Sequence, residues 1–464
     1  MRTSPLHNNL AWQQLGGVVL LVGLVCLLYL PVADYDFVTF DDPHYVVTNP
    51  FVNQGVTWQG LKWLPRGMVS SQWHPVTMLS HMLDCELFGL SAGRHHMVNV
   101  AWHAANTALL FLLMLSLTGQ FMPCFLLALC WCIHPLAVDS VAWISQRKNL
   151  LSMFFGLSAL WMYSLYARTQ RRTCLGFALI LFFIGLMAKA TLIVFPLLLL
   201  LWDFWPLQRA ANPDGGRWFS SPLLREKTPF FLLSLFFSLA ILRSQSAGGT
   251  VAAAAAYPLG WRLSFTLDNY VHYVTKFILP VDLVAIYPWP RAALPWSSLG
   301  FDAAVFLGIS ALVYRFRDRR YLVAGWLWFI AGLLPVCGMM PAGAAIKADR
   351  FTYLPLIGLI MMLVWAGWEW SLRRRSVRIA WTLLSCLALL VLGLLTRRQL
   401  PTWSNGGALY AHALSVNPDN PTALNNMGMW QRNHGDIPGA LRLFSEAVDI
   451  EPRHYLAQNN LAEL

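Results

Sequence analysis

The sequence predicts an all-α fold, a polytopic membrane helix bundle of about eleven spans with a short helical-repeat tail. Three observations predict it. Only 12% of the 464 residues are charged while 57% are hydrophobic, with a mean hydropathy of +0.51, whereas soluble domains are about 25% charged. The apolar residues fall into long runs broken by short charged loops. From about Thr402 onward the pattern turns polar and helical, with an internal period of 34 residues.

The first apolar run, Leu15 to Val32, is about 18 residues, enough to span a bilayer. Pro31-Val32-Ala33-Asp34 is a poor cleavage site, so this run is expected to be retained as the first helix. Further spans are expected at about 97–118, 122–145, 150–167, 174–188, 190–206, 229–243, 302–315, 320–338, 351–371 and 379–396. The apolar stretch 262–280 carries Asp268, Asn269, His272 and Lys276. It either spans or lies along the surface.

Lys and Arg concentrate in cytoplasmic loops. With the N-terminus in the cytoplasm, even-numbered connections hold four basic groups. These are Arg168, Arg171 and Arg172; Arg209, Arg217, Arg225 and Lys227; Arg315, Arg317, Arg319 and Arg320; and Arg373, Arg374, Arg375 and Arg378. The pattern holds only if 262–280 does not cross, so that segment reads as an amphipathic helix on the outer surface. The same distribution explains the net charge of +11 without nucleic acid. The eight cysteines lie mostly in apolar segments and read as small apolar residues, neither ligands nor disulfides.

The first outer loop, about 33–96, is the longest connection between spans. It is acidic, with Asp34, Asp36, Asp41, Asp42, Asp84 and Glu86, and a loop of that length is usually functional. The chain thus divides into a membrane domain, 1–400, and a tail, 401–464. In the tail Asn425-Asn426 recurs as Asn459-Asn460, and Tyr410, Ala413 and Pro418 recur as Phe444, Ala447 and Pro452. This is the tetratricopeptide period. It predicts helices at about 406–416, 421–433 and 437–449, with a turn at His434-Gly435-Asp436. So few repeats rarely stand alone, so the tail is expected to pack on the membrane domain or on a partner.

Ionisable groups beside apolar segments default to functional candidates. On the expected outer face stand Asp41-Asp42, Arg147-Lys148, Lys189, Arg243, and Lys347 with Asp349 and Arg350. A carboxylate can take a proton from an attacking hydroxyl, and cations can hold a departing phosphate. Simpler roles also fit: cations at helix ends snorkel, and Asp41-Asp42-Pro43 suits a turn or helix cap. The sequence has no metalloprotease, P-loop or Cys-x-x-Cys motif.

Several of these residues carry a family resemblance. Phe40-Asp41-Asp42-Pro43-His44-Tyr45-Val46 after a first membrane helix resembles the acidic motif of GT-C glycosyltransferases. Trp73-His74-Pro75-Val76-Thr77, the run Arg94-His95-His96 to Asn106, His134-Pro135 to Trp143, Gln146-Arg147-Lys148-Asn149, and Ala348-Asp349-Arg350 to Pro355 resemble elements of one family. It is the transmembrane and tetratricopeptide-repeat-containing protein O-mannosyltransferases and their bacterial relatives. The likeness runs from about 34 to 464. Lys189 also matches, but Ala190 stands where animal members have Glu, and the tail is shorter than theirs.

The resemblance implies an inverting membrane enzyme that transfers mannose or a similar hexose from a polyprenyl-phosphate donor to Ser or Thr hydroxyls of an exported protein. Asp41 would be the base, with Asp42 supporting it. Arg147, Lys189 and Arg350 would face the lipid phosphate, and His74, His95, His96 and Lys148 are candidates to line the site. No cofactor or metal is expected, although Asp41-Asp42 is the place for one. The membrane would be a bacterial inner membrane, with the tail outside beside the acceptor. Two other readings stay open: a non-enzymatic scaffold whose tail binds partners, and a transferase acting on a glycolipid.

Overall fold

The computed structural model describes residues 5–209, 221–247, 257–290, 292–339 and 345–464. Arg217, counted above in a cytoplasmic loop, lies outside them.

Helix α1 (Pro5–Tyr29) carries the first apolar run and tightens into a 3-10 turn, Leu30–Asp34. The loop after it folds into an outer lobe with two helices, α2 (Trp58–Trp63) and α3 (Pro75–Phe88). Tyr45, Val46, Val52, Met78, Met82 and Ile144 form the lobe's own small core. Helix α4 (Ala92–Thr118) then crosses back along α1. Gly93 makes that approach possible: a Cβ there would sit 1.8 Å from the Ala33 carbonyl oxygen.

Helix α5 (Phe121–Ile133) meets the segment Pro135–Ala142 at 57°, because Pro135 cannot continue the α5 hydrogen-bond ladder. The short helix α6 (Val138–Ala142) ends that segment. Helices α7 (Arg147–Thr169) and α8 (Arg172–Ala188) form a hairpin, and the chain breaks at Lys189 before the 3-10 turn Ala190–Val194 and α9 (Phe195–Phe204). After these come α10 (Ser221–Ala247), α11 (Leu259–Ile278), α12 (Trp296–Arg315), α13 (Arg320–Leu333), α14 (Leu356–Ser371) and α15 (Arg375–Gln399). Strands β1 (Tyr287–Pro288) and β2 (Ala345–Lys347) pair antiparallel, Tyr287 opposite Lys347.

Among the described residues six helices are long and apolar enough to cross a membrane, and the bent pair at Pro135 makes a seventh. Four shorter apolar helices, Arg172–Ala188, Ala190–Phe204, Arg320–Val336 and Leu356–Ser371, fall where the other expected spans lie. Helix α11 is not among the membrane-length apolar helices. It buries Phe265, Asn269, Tyr270, Val271, Tyr273 and Val274 against the bundle, and its Asp268 pairs with Lys347. Leu383, Leu384, Leu387, Leu390 and Leu394 form an exposed apolar stripe on α15. In water such a stripe would be costly, whereas lipid accepts it. The chain is an integral membrane protein.

The tail contains α16 (Gly406–Val416), α17 (Pro421–Asn433), α18 (Ile437–Ile450) and α19 (Tyr455–Ala462). The expected helices and the turn at Gly435, with φ +86, are where the 34-residue period puts them. Small residues make the helix crossings close: Ala423, Ala440, Ala447 and Ala457 are buried, and Phe444 lies against Gly428. Asn460 Nδ2 donates to Asn425 Oδ1 at 2.8 Å, tying one repeat to the next. The tail packs on the membrane domain. The Asp36 amide donates to the Ser404 carbonyl at 2.9 Å and the Tyr410 hydroxyl to the Thr39 carbonyl at 2.9 Å. This places the tail directly against the loop that bears Asp41.

Candidate active site

The turn from Trp143 to Arg147, between α6 and α7, is the hub. Asp42 reaches it from the loop after the first span. Its carboxylate accepts from the Ser145 amide at 3.0 Å, from the Ser145 hydroxyl, and from the Val38 amide at 3.0 Å. Asp42 is wholly buried, and burial pushes its carboxyl up to about 6 despite these donors. Its neighbour Asp41 is different. The Asp41 side chain keeps 24% of its surface exposed and lies 3.5 Å from Lys148 Nζ. Lys148 in turn donates to the Tyr45 hydroxyl at 2.8 Å and sits 4.3 Å from that ring's centre. Expected as a pair of catalytic carboxylates, the two have separate surroundings: Asp42 is buried and pins the loop, and Asp41 is the more exposed of the two.

Arg147 does not reach an open site. It is wholly buried and pairs with Asp84 of α3 at 2.7 Å. It also donates to Asn99 Oδ1, to Ser80 Oγ at 3.0 Å and to the His95 carbonyl at 2.9 Å. Four of its five N–H donors go to α3 and α4, so it binds α3, α4 and α7 together. Sequence spacing gave no hint of this, because Asp84 is 63 positions away.

The histidines expected to line the site are packed into the same lobe. His95 Nε2 meets the Gly89 carbonyl at 2.8 Å, and His96 Nε2 meets the Asp36 carbonyl at 3.2 Å. His74 Nε2 meets Gln72 Oε1 at 2.7 Å, and its ring lies 6.3 Å from that of Tyr45. His74 is thus beside Lys148's partner, whereas His95 and His96 are lobe residues.

Two expected cations do border a cleft. It opens to the surface. Lys189, Arg350, Asn149, Ser152 and Tyr353 give it a polar side, and Met153, Leu192, Val336, Leu354 and Pro355 an apolar one. Lys189 is exposed to it because the chain breaks between α8 and the next 3-10 turn. Asn149 accepts from Lys189 Nζ and donates to the Arg350 carbonyl at 3.2 Å and to Ser140 Oγ at 3.0 Å. Arg350 pairs with Asp139 at 3.3 Å, donates to the Ala285 carbonyl at 2.9 Å, and stands 5.1 Å from the centre of the Trp143 ring. Trp143 is stacked between Phe40 and Trp403, at 5.1 and 5.3 Å. Burial, with Lys148 and Arg350 nearby, holds the Lys189 amine well below the usual lysine range, while the Asp139 and Asp41 carboxylates oppose this.

Sequence reasoning missed Asn149 and Asp139 as organisers, although both stand in the quoted motifs. It also left Asp349 without a role. That carboxyl is buried and pushed well up by its burial, and it accepts from the Tyr287 hydroxyl at 3.1 Å.

Fold and site together define a polytopic helical membrane protein with a partly exposed carboxylate at Asp41 and a cleft lined by Lys189 and Arg350. No protein-family model matches the chain. It is similar along nearly its whole length to curated protein O-mannosyl-transferases. A Caenorhabditis elegans protein O-mannosyl-transferase is 24% identical over 95% of this chain and 64% of its own length. Human protein O-mannosyl-transferases TMTC1 and TMTC3 are 22% and 23% identical over 100% and 96% of this chain, and 58% and 52% of their own. The chain thus spans between half and two-thirds of these relatives. Among solved structures, an Archaeoglobus fulgidus oligosaccharyltransferase with a tethered acceptor peptide aligns with 94% of this chain and 58% of its own, at TM-score 0.47 and 14% identity.

Proposed function

We propose that the chain is a membrane glycosyltransferase of the GT-C type, moving mannose or a similar hexose from a polyprenyl-phosphate donor to Ser or Thr hydroxyls of an exported protein. The observations that carry this reading are the partly exposed Asp41 paired with Lys148, and a cleft lined by Lys189 and Arg350. In the proposed step Asp41 accepts the hydroxyl proton as the oxygen attacks the anomeric carbon. The bond from that carbon to the phosphate oxygen breaks, and the polyprenyl phosphate leaves with the bonding pair. Lys189 and Arg350 stabilise its growing charge, so no divalent ion is needed in that role. The apolar wall of the cleft suits the first isoprene units. Lys148 orients Asp41, and Asp42 fixes the loop that carries it. Arg147, first expected at the phosphate, acts here by holding the lobe in place.

The tail's contacts with the loop that carries Asp41 support an enzyme over an anchored scaffold, with the tail read as the acceptor-binding surface. Intact-mass spectrometry of exported proteins, with and without the chain, tests the reading. Hexose-sized mass additions that vanish with the chain support it. Unchanged proteins with an altered glycolipid would instead mean a glycolipid acceptor.

A further inference from the structure

The outer lobe holds a second polar cluster that the proposed reaction does not use. His81 and Asp84 are three residues apart on α3, so they project from the same helix face. His95, in the first turn of α4, meets them across the helix pair. One nitrogen or oxygen from each lies within 4.8 Å of the others, and all three residues are buried. Two of the three have free ligand atoms. Neither ring nitrogen of His81 has a hydrogen-bond partner, although His81 has no exposed surface. His95 gives Nε2 to the Gly89 carbonyl, which leaves Nδ1 unpartnered and facing Asp84 Oδ2 at 3.5 Å.

Buried polar atoms are seldom left without partners, and each needs a reason. A ring nitrogen fixed on a backbone carbonyl, with its other nitrogen bare, is the arrangement of a metal-ligating histidine. Bonds of about 2.0–2.2 Å to zinc put tetrahedral ligand atoms about 3.3–3.6 Å apart, which the His95–Asp84 separation already meets. Two imidazoles and a carboxylate favour zinc over magnesium or calcium, which prefer oxygen.

We propose that His81, Asp84 and His95 form a zinc site that clasps the outer-lobe helix α3 to the membrane helix α4. The fourth position is open. Asp84 serves two cations, since Arg147 lies 2.7 Å from it. The guanidinium weakens the hold on the ion, so the site exchanges zinc rather than locking it in. The clasp reaches the cleft through α3, whose Thr77 hydroxyl donates to the Ala188 carbonyl, one residue before Lys189.

The full chain is purified in detergent, stripped with a chelator and titrated with zinc chloride or magnesium chloride. Bound metal is measured by mass spectrometry and unfolding by temperature. The expected result is one zinc per chain, a melting temperature raised by zinc and not by magnesium, and both effects lost in His81→Ala. Apo His81→Ala should melt close to apo wild type, because the Arg147–Asp84 pair is intact. Zinc absorption spectra of the wild type should show two imidazoles. Absence of retained zinc, a shift undiminished in His81→Ala, or a spectrum without imidazole overturns the site. None of these readouts depends on transferase activity.

Discussion

Adjacent acidic residues at the site do different work. Asp42 accepts two buried backbone amides and a hydroxyl, while Asp41 keeps a quarter of its surface. Removing a buried acceptor strands its donors at about 1–3 kcal/mol, so Asp42→Ala should destabilise the chain by roughly that amount and be visible in the melting temperature. Asp42→Asn asks about charge alone. The folded value of about 6 exceeds the ordinary 3.8, so the folded state holds the proton more tightly than the unfolded one. Asp42's contribution is therefore greatest below about pH 4, is lost as pH rises to 6, and is level above that. The loss is on the order of 3 kcal/mol. The wild type should lose stability relative to Asp42→Asn across that window; parallel curves would contradict it. The acidic pair was visible in the sequence, but not which member is buried. That depends on Ser145, 103 positions away.

Helices α3, α4 and α7 are joined by the Arg147–Asp84 pair. Truncating one member of such a buried pair leaves the other charge uncompensated, at about 3–5 kcal/mol. Arg147→Met should lower the melting temperature sharply. Lys189→Ala should leave it nearly unchanged, and instead weaken use of the lipid-phosphate donor at least tenfold in kcat/KM. If both variants lost activity with wild-type melting, the division between clamp and cleft would be wrong. Element positions were legible because lipid demands long apolar runs and the tail repeats itself. For the 262–280 segment the four polar residues left two readings open, and the expectation that it does not cross came from the pattern of basic loops. The outer lobe was not, since its small core draws on residues from Tyr45 to Ile144 that share no period.

In the whole molecule the tail is bound to the Asp41 loop. A Cβ at Gly406 would meet Thr39 Oγ1 at 2.3 Å, so Gly406→Val should lift the tail from the loop. The expected outcome is faster proteolysis near residue 404 and reduced transfer with the membrane domain intact. The sidedness expected from the basic loops is testable: Gln170→Cys should react with impermeant thiol reagents from the cytoplasm only, and His434→Cys from the other side. Same-side labelling would mean that α11 crosses. That the tail packs on the membrane domain was foreseen from its small number of repeats; which loop it meets was not, because no local signal records a contact such as Tyr410 with Thr39, 371 positions apart. The most direct test of the central claim is transfer by purified Asp41→Asn, with polyprenyl-phosphate mannose as donor and exported protein as acceptor. The account predicts wild-type melting and donor binding with transfer reduced at least 1,000-fold, on the order of a lost general base and its orientation. Transfer near the wild-type rate would contradict it.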